Sequence, residues 1–145
     1  ARNTAGLQIP FHHDVAARRV VGEFSLDERF SGAPQYVHGG VLWAILDEAM
    51  AWATIAIVGR FAVTQETTSR FERPVKIGRD HTVSAWIDAV DGRIIHTAAE
   101  ILRAEGRRCV TATATFAALD LERASDAADA EITGEVTTYT MPDGF

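Results

Sequence analysis

One apolar segment, residues 40–58, most constrains what this chain can fold into. It reads GVLWAILDEAMAWATIAIV, contains no proline, begins at a Gly-Gly pair and ends at Gly59. A glycine after the last apolar residue is typical of the end of a helix, so the segment predicts a helix over 40–58. Because this helix is apolar on almost every side, it has to be buried, and a sheet is the partner that can cover it.

The segments around this helix predict the sheet. Loose alternation predicts one strand before the helix, and four strand-like runs follow it; the five predicted strands span residues 18–26, 62–73, 82–90, 93–104 and 109–119. The last run alternates cleanly, with apolar side chains on one face and threonines on the other. Turns are predicted at Gly78, Asp91–Gly92 and Glu105–Gly106. We therefore predict an α+β domain in which an antiparallel sheet wraps around one long buried helix.

Length and composition set further bounds. The chain has 145 residues, enough for one domain, and its single cysteine, Cys109, can form no internal disulfide, which suits a reducing, cytoplasmic compartment. Asp47 and Glu48 interrupt the longest apolar run, so we expect no membrane span. The first ten residues lack the apolar core of a secretory signal, so none is expected there.

Charge is spread unevenly along the chain. Residues 120–145 carry seven acids and one base and so hold the whole net charge of −6, whereas residues 1–119 are balanced. A neutral body has no electrostatic footprint for nucleic acid. We predict a domain over 1–119 and a solvated acidic extension over 120–145, with a short helix at 121–130. In a competing interpretation, the ITGEVTTYT segment of this extension adds a strand to a neighbouring sheet edge.

Two carboxylates stand where the predicted helix should be buried. A buried carboxylate is costly unless it is paired, hydrogen-bonded or protonated. Asp47 and Glu48 therefore either lie together on one solvent-exposed side of the helix or have a function. Gly40 and Asp47 are seven residues apart and share a helix face to within about 20°. Asp47 is therefore predicted to face the same side as the His-Gly-Gly entry to the helix.

That entry has chemistry of its own. Unpaired N–H groups in a first helical turn attract anions, and glycines let a ligand approach the backbone. Such an N–H can stabilise an oxyanion, and a carboxylate nearby can act as base or nucleophile. Seven residues rise about 10 Å along a helix, however, too far for Gly40 and Asp47 of one chain to serve one carbonyl. The arrangement predicts a dimer with composite sites.

The stretch VHGGVLWAILDEAM resembles the HGG…D signature of the PaaI-like branch of the hotdog-fold thioesterase superfamily, with Asp47 nine residues after His38. DERFSGAPQY before it, RFERPVKIG after it and VDGR at 90–93 resemble further motifs of that branch in the same order. The likeness covers residues 3–119. It implies the hotdog fold, in which an antiparallel sheet wraps around a long helix.

The resemblance also implies an activity, hydrolysis of acyl-coenzyme A thioesters without a metal or redox cofactor, in a homodimer or a dimer of dimers. Asp47 would be the general base or nucleophile and the Gly40 amide the main oxyanion donor. His38 would orient the thioester or its loop, and Thr64 would position the attacking water. The resemblance further assigns substrate-binding positions to Gly39, Arg70 and Arg93, the two arginines facing coenzyme A.

Some observations leave alternatives open. Some relatives have Asn six residues before the histidine, where this chain has Gly32. Trp43 and Trp52 either shape the acyl pocket or pack in the core or a dimer interface. The run His12–His13–Asp14 is interpreted as polar residues that face solvent rather than a metal site, because no further ligand cluster stands at useful spacing.

Two other function classes compete with a thioesterase. One is a hotdog dehydratase or hydratase acting on acyl thioesters, which typically has Pro-Gly before the helix. The other is a non-catalytic module that binds an acyl ligand, which the fold alone does not exclude. A buried carboxylate beside the predicted anion site favours the enzyme, since binding alone does not need one.

Overall fold

The predicted central helix is confirmed. In the computed structural model, which describes residues 7–120 and 138–139, helix α1 spans Gly39–Ala53 and continues as a π-helical turn over Thr54–Val58. Gly59 ends it with φ +77°, the left-handed conformation that glycine adopts without strain. The helix is long and apolar enough to cross a membrane, with 20 residues and a mean hydropathy of 1.7. The helix is apolar because it packs against five strands of the sheet.

The sheet is antiparallel throughout and wraps around α1 as predicted. Its strands are β1 (Phe11–Asp14), β2 (Arg19–Phe24), β3 (Ala62–Phe71), β4 (His81–Asp91), β5 (Ile94–Arg103), β6 (Arg108–Ala118) and β7 (Thr138–Tyr139). They lie in the order β3-β6-β5-β4-β2-β1-β7. The five predicted strands correspond to β2 through β6, and each boundary agrees within two residues.

Of the two strands at one side of the sheet, β1 was not predicted, and β7 falls within the ITGEVTTYT segment of the competing interpretation. Strand β1 has the sequence FHHD, and the His12–His13–Asp14 run interpreted as facing solvent forms most of it. Phe11 is fully buried, while His12 and Asp14 are exposed. Strand β7 pairs with β1, Tyr139 opposite Phe11, so the tail reaches the sheet of its own chain. The helix predicted at 121–130 lies outside the described residues.

The face of the sheet that covers α1 follows the predicted alternation. The side chains of Val110, Ala112, Ala114 and Phe116 on β6 are buried, whereas the threonines between them point to the other face. Cys109 is also fully buried, as expected of a small core residue. The core therefore lies between this face and the apolar side of α1, and the opposite side of α1 remains accessible.

Candidate active site

The histidine at the helix entry caps the helix. His38 is the N-cap residue of α1, and its Nδ1 accepts a hydrogen bond from the Gly40 amide at 2.9 Å. The amides of Val41 and Leu42 donate to the His38 carbonyl at 3.0 and 3.2 Å. Among the described residues, only Gly39 in this first turn has an amide without a hydrogen-bond acceptor. The Gly40 amide, which the resemblance assigns to the oxyanion, is thus hydrogen-bonded to His38, whereas the Gly39 amide has no acceptor.

Two turns further along α1, Asp47 faces a groove between the helix and β3. The hydroxyl of Thr64 donates a hydrogen bond of 2.6 Å to Asp47 Oδ1. The groove has a volume of about 520 Å³ and is lined by Gly40, Trp43, Ala44, Asp47, Thr64, Gln65, Glu66 and Thr67. Gly40 and Asp47 line one groove, as their spacing predicts, and Thr64 contacts the carboxylate there.

A β-bulge directs Thr64 towards the helix. Residues opposite each other on neighbouring strands share a face, and Thr64 lies opposite the buried Phe116. Glu66, two residues on, lies opposite Thr115 on the outer face. In a regular strand residues two apart share a face, but here Gln65 is an extra residue that shifts the register. Thr64 therefore reaches Asp47, while Glu66 follows on the outer face at the rim of the groove.

Glu48, next to Asp47, lies on the buried side of α1. Only 8% of its surface is exposed, so the two acids do not lie together on one solvent-exposed side of the helix. The pKa of the Glu48 carboxyl is raised to about 7, chiefly by burial and secondly by the charge of Asp47, against the opposing effect of a hydrogen bond with Trp52. Glu48 therefore belongs to the core and Asp47 to the groove.

The two helical tryptophans differ in the same way. Trp43 is 44% exposed, lines the groove, and its indole N–H donates to the Ser69 hydroxyl on β3. Trp52 is half-buried and packs against the core. Trp43 therefore stands where it can contact a ligand or a second subunit, whereas Trp52 has the packing role.

The two arginines assigned to coenzyme A lie far apart in one chain. Arg70 is exposed near the end of β3, opposite Thr111. Arg93 lies in the β4–β5 turn, and its guanidinium donates to the Ala118 carbonyl at 3.1 and 3.3 Å. Thr111 and Ala118 are seven residues apart on β6, about 23 Å at the rise of a strand. One chain does not bring these two arginines together.

The two remaining histidines lie outside the groove. His81 is buried, stacks on Phe24 with ring centroids 5.8 Å apart, and its Nδ1 lies 2.9 Å from the Arg79 carbonyl. Burial lowers the pKa of the His81 imidazole. His96 is exposed on the outer face of β5. Within residues 7–120 and the β7 pair, no three His, Cys, Asp or Glu side chains gather in a way that could hold a metal ion.

The motif that carries this site matches a known family over more than half of the chain. The family described as the thioesterase superfamily matches residues 34–110, a range that includes His38, Asp47 and Thr64. The chain belongs to the thioesterase superfamily. A solved thioesterase superfamily protein is 32% identical, with a TM-score of 0.67, over 70% of this chain and 50% of that chain.

Further members of the thioesterase superfamily show the same likeness. Acyl-coenzyme A thioesterase THEM4 of Mus musculus is 25% identical over 119 residues, which is 81% of this chain and 51% of the mouse protein. The present chain therefore spans about half the length of the mouse protein. The PaaI protein of E. coli is 21% identical, with a TM-score of 0.66, over 71% of this chain and 74% of its own.

A third solved structure contains a ligand. A hypothetical thioesterase of Streptococcus pneumoniae, determined with coenzyme A, has a TM-score of 0.66 and 20% identity, over 69% of this chain and 80% of its own. At this identity, as for the E. coli protein, the likeness shows the shared fold. The hotdog architecture expected from the resemblance is thus confirmed by both the sheet topology and its structural neighbours.

Proposed function

We propose that this chain hydrolyses acyl-coenzyme A thioesters to the free acid and coenzyme A. The observation that carries the proposal is the 2.6 Å hydrogen bond from Thr64 to Asp47 in an accessible groove on the glycine face of the helix. Membership of the thioesterase superfamily and the likeness to an acyl-coenzyme A thioesterase support it. A site that only binds an acyl ligand has no need for this oriented carboxylate.

In the reaction we propose, Asp47 acts as general base. The Thr64 hydroxyl donates its hydrogen bond to Asp47 Oδ1. Asp47 Oδ2 and the Thr64 oxygen can therefore accept hydrogen bonds from one water molecule. Asp47 takes a proton from this water as its oxygen attacks the thioester carbonyl. The carbonyl electron pair moves onto oxygen, then returns and expels the coenzyme A thiolate. Direct attack by Asp47 is the second route open to this carboxylate.

The oxyanion of that reaction needs donors at the helix entry. The Gly39 amide is free to donate in this structure, whereas the Gly40 amide, the predicted donor, becomes available only when the His38 ring turns away. We therefore propose the Gly39 amide as a donor, reinforced by the positive end of the α1 dipole.

We further propose that two copies of the chain build each site. The helix entry and Asp47 are about 10 Å apart along α1, so the Asp47 of one copy would serve the entry of the other. Strand β3 pairs with β6 alone among the described strands, which leaves its other edge open. Exposed apolar side chains, Val63, Phe71 and Trp43, lie on this strand and beside it. A second copy would cover this edge and these side chains.

The activity is tested by measuring thiol release from a panel of short, long and aromatic acyl-coenzyme A thioesters. Hydrolysis of at least one member, lost in Asp47→Asn, supports the proposal. Hydration of an unsaturated acyl thioester without thiol release would indicate the hydratase alternative. Tight binding without any turnover would indicate the ligand-binding module.

Composite sites are tested by mixing two inactive variants. Gly39→Pro removes the free amide, and proline suits the first helical position after an extended His38 with ψ 134°. Gly39→Ala keeps the amide and is the matched control, because its Cβ would lie 3.8 Å from Phe71, an ordinary contact. In dimers of Gly39→Pro with Asp47→Asn, one of the two composite sites is intact, so activity returns to about half. No recovery after subunit exchange, or an active monomer, contradicts the composite site.

A further inference from the structure

The His38 ring lies in a space that two glycines leave open. A Cβ at Gly32 would stand 3.2 Å from His38 Cδ2 and from its Cα, and one at Gly40 would stand 3.1 Å from Nδ1 and 3.2 Å from Cε1. These distances are tighter than ordinary contact, so a side chain at either position would shift the ring by a few tenths of an ångström. The ring is thus placed by its two glycine neighbours as well as by its hydrogen bond.

The Gly40 amide selects the tautomer of this ring. A backbone N–H only donates, so the Nδ1 that accepts it at 2.9 Å carries a lone pair and no proton. In the neutral imidazole the proton then lies on Nε2, which becomes a donor. Nε2 makes no hydrogen bond within the described residues, and His38 is exposed. The helix entry therefore presents an N–H on the imidazole as well as the amide of Gly39.

We propose that His38 Nε2–H is the second oxyanion donor of this enzyme, and that the Gly40 amide acts by holding His38 in that tautomer. This inference rests on the proposed thioester hydrolysis. When water attacks the carbonyl carbon and Asp47 takes the water proton, the carbonyl π electrons move onto oxygen. His38 Nε2–H and Gly39 N–H then donate to that oxygen, and His38 keeps its proton throughout.

Gly32 explains why this chain would use its histidine. An asparagine stands at this position in some relatives, but here its Cβ would press on the His38 ring. With glycine at 32, no side chain from that position reaches the helix entry. The ring then occupies the space, and its Nε2–H supplies a donor from the same side of the entry.

Two substitutions at His38 separate this role from helix capping. Glutamine can place an amide N–H near the Nε2 position but is a poor N-cap, whereas asparagine caps well in place of Nδ1 and has no group at the Nε2 position. The proposal expects His38→Asn to lower kcat by about 10²-fold with KM little changed, the usual loss of one oxyanion donor. It expects His38→Gln to keep kcat within about tenfold of the wild type. A purely structural role predicts the reverse order.

The matched control is His96→Asn, since His96 is exposed on the outer face of β5 and contributes nothing to the groove. It should keep wild-type kcat and KM. His38→Asn with wild-type kcat, or with lower kcat than the wild type but higher kcat than His38→Gln, overturns the proposal.

The tautomer is measured separately from activity by long-range ¹H–¹⁵N correlation spectra of the full chain with ¹⁵N-labelled histidine. The expected spectrum shows a protonated Nε2 and an unprotonated Nδ1 for neutral His38, assigned by its loss in His38→Asn. A proton on Nδ1 overturns the proposal whether or not the chain hydrolyses thioesters. If the tautomer is as expected but no acyl-coenzyme A is cleaved by the wild type, the proposed function has failed and the donor role fails with it.

Discussion

The two faces of the central helix treat adjacent carboxylates in opposite ways. Asp47 faces a groove, where the Thr64 hydroxyl holds one of its oxygens, whereas Glu48 is turned by about 100° into the core beside Trp52. The difference comes from the surroundings, because each residue carries the same chemical group. Burial favours the neutral form of Glu48, whereas the hydrogen bond from Thr64 orients the Asp47 side chain in an accessible groove. Position on the helix alone therefore separates a candidate catalyst from a core residue.

The largest effect is expected on the groove face. Asp47→Asn is nearly isosteric and keeps a partner for Thr64, but removes the base or nucleophile. We expect thioester hydrolysis to fall by at least ~10²-fold, with fold and assembly retained. Steady-state thiol release and circular dichroism measure the two properties. Full activity on any substrate of the wild type would remove Asp47 from the mechanism, and the two faces of the helix would then differ in burial alone.

The core face should respond through stability instead. Because the pKa of folded Glu48, about 7, lies above its ordinary value of 4.5, its contribution to stability is fully present below pH 4.5 and is lost as the pH rises through 7. Between pH 5 and 8 the wild type should lose about 2–3 kcal/mol of unfolding free energy through this group. Glu48→Gln should lose much less over the same range, while its turnover stays close to the wild-type value.

Urea unfolding at several pH values measures this difference, and Glu100→Gln on β5 is a control for removing a partly exposed acid. Equal pH dependence of the unfolding free energy in the wild type and Glu48→Gln would show that burial does not raise the pKa of Glu48.

A smaller effect is expected where the groove face meets the sheet. Thr64→Val keeps the shape of the side chain but removes the hydroxyl that donates to Asp47. One lost hydrogen bond to a charged group predicts a roughly tenfold fall in kcat. Thr68→Val, on the outer face of the same strand, is the control and should leave kcat unchanged. Equal behaviour of the two variants would mean that the bond seen in the structure does not act in turnover.

The smallest effect is expected from the acidic tail. Truncation after Asp120 removes β7 and uncovers the edge of β1, but none of the described groove residues belongs to the tail. We expect turnover within a few-fold of the wild type, because a negatively charged segment would repel a phosphate-bearing ligand from the groove. Kinetics combined with light scattering checks this. Loss of activity or of assembly would give the tail a structural role, which the pairing of Tyr139 with Phe11 makes the competing outcome.

The helix and the five main strands could be predicted because their signals are local. An apolar run bounded by glycines and strict alternation on β6 depend only on neighbouring residues. Strand β1 gave no such signal, since its four residues, FHHD, are too few and too polar. It forms because β2 offers an edge and Phe11 reaches the core.

The site was predicted less completely than the fold. Helical spacing placed Gly40 and Asp47 on one face, but Thr64 entered only through the family resemblance. No local pattern marks Gln65 as a bulge, because a bulge is defined by the partner strand. The capture of the Gly40 amide by His38 depends on a side-chain rotation that residue spacing does not determine.

The extra residue in β3 separates the proposed activity from the exact length of the strand. Without Gln65, Thr64 and Glu66 would be neighbours in a regular strand and would still lie opposite Phe116 and Thr115, so Thr64 would still meet Asp47. The bulge therefore accommodates one additional residue without turning Thr64 to the outer face. For a lineage of such chains, a single codon gained or lost at this position can pass without loss of the proposed hydrolase, although every later residue moves by one place in the sequence.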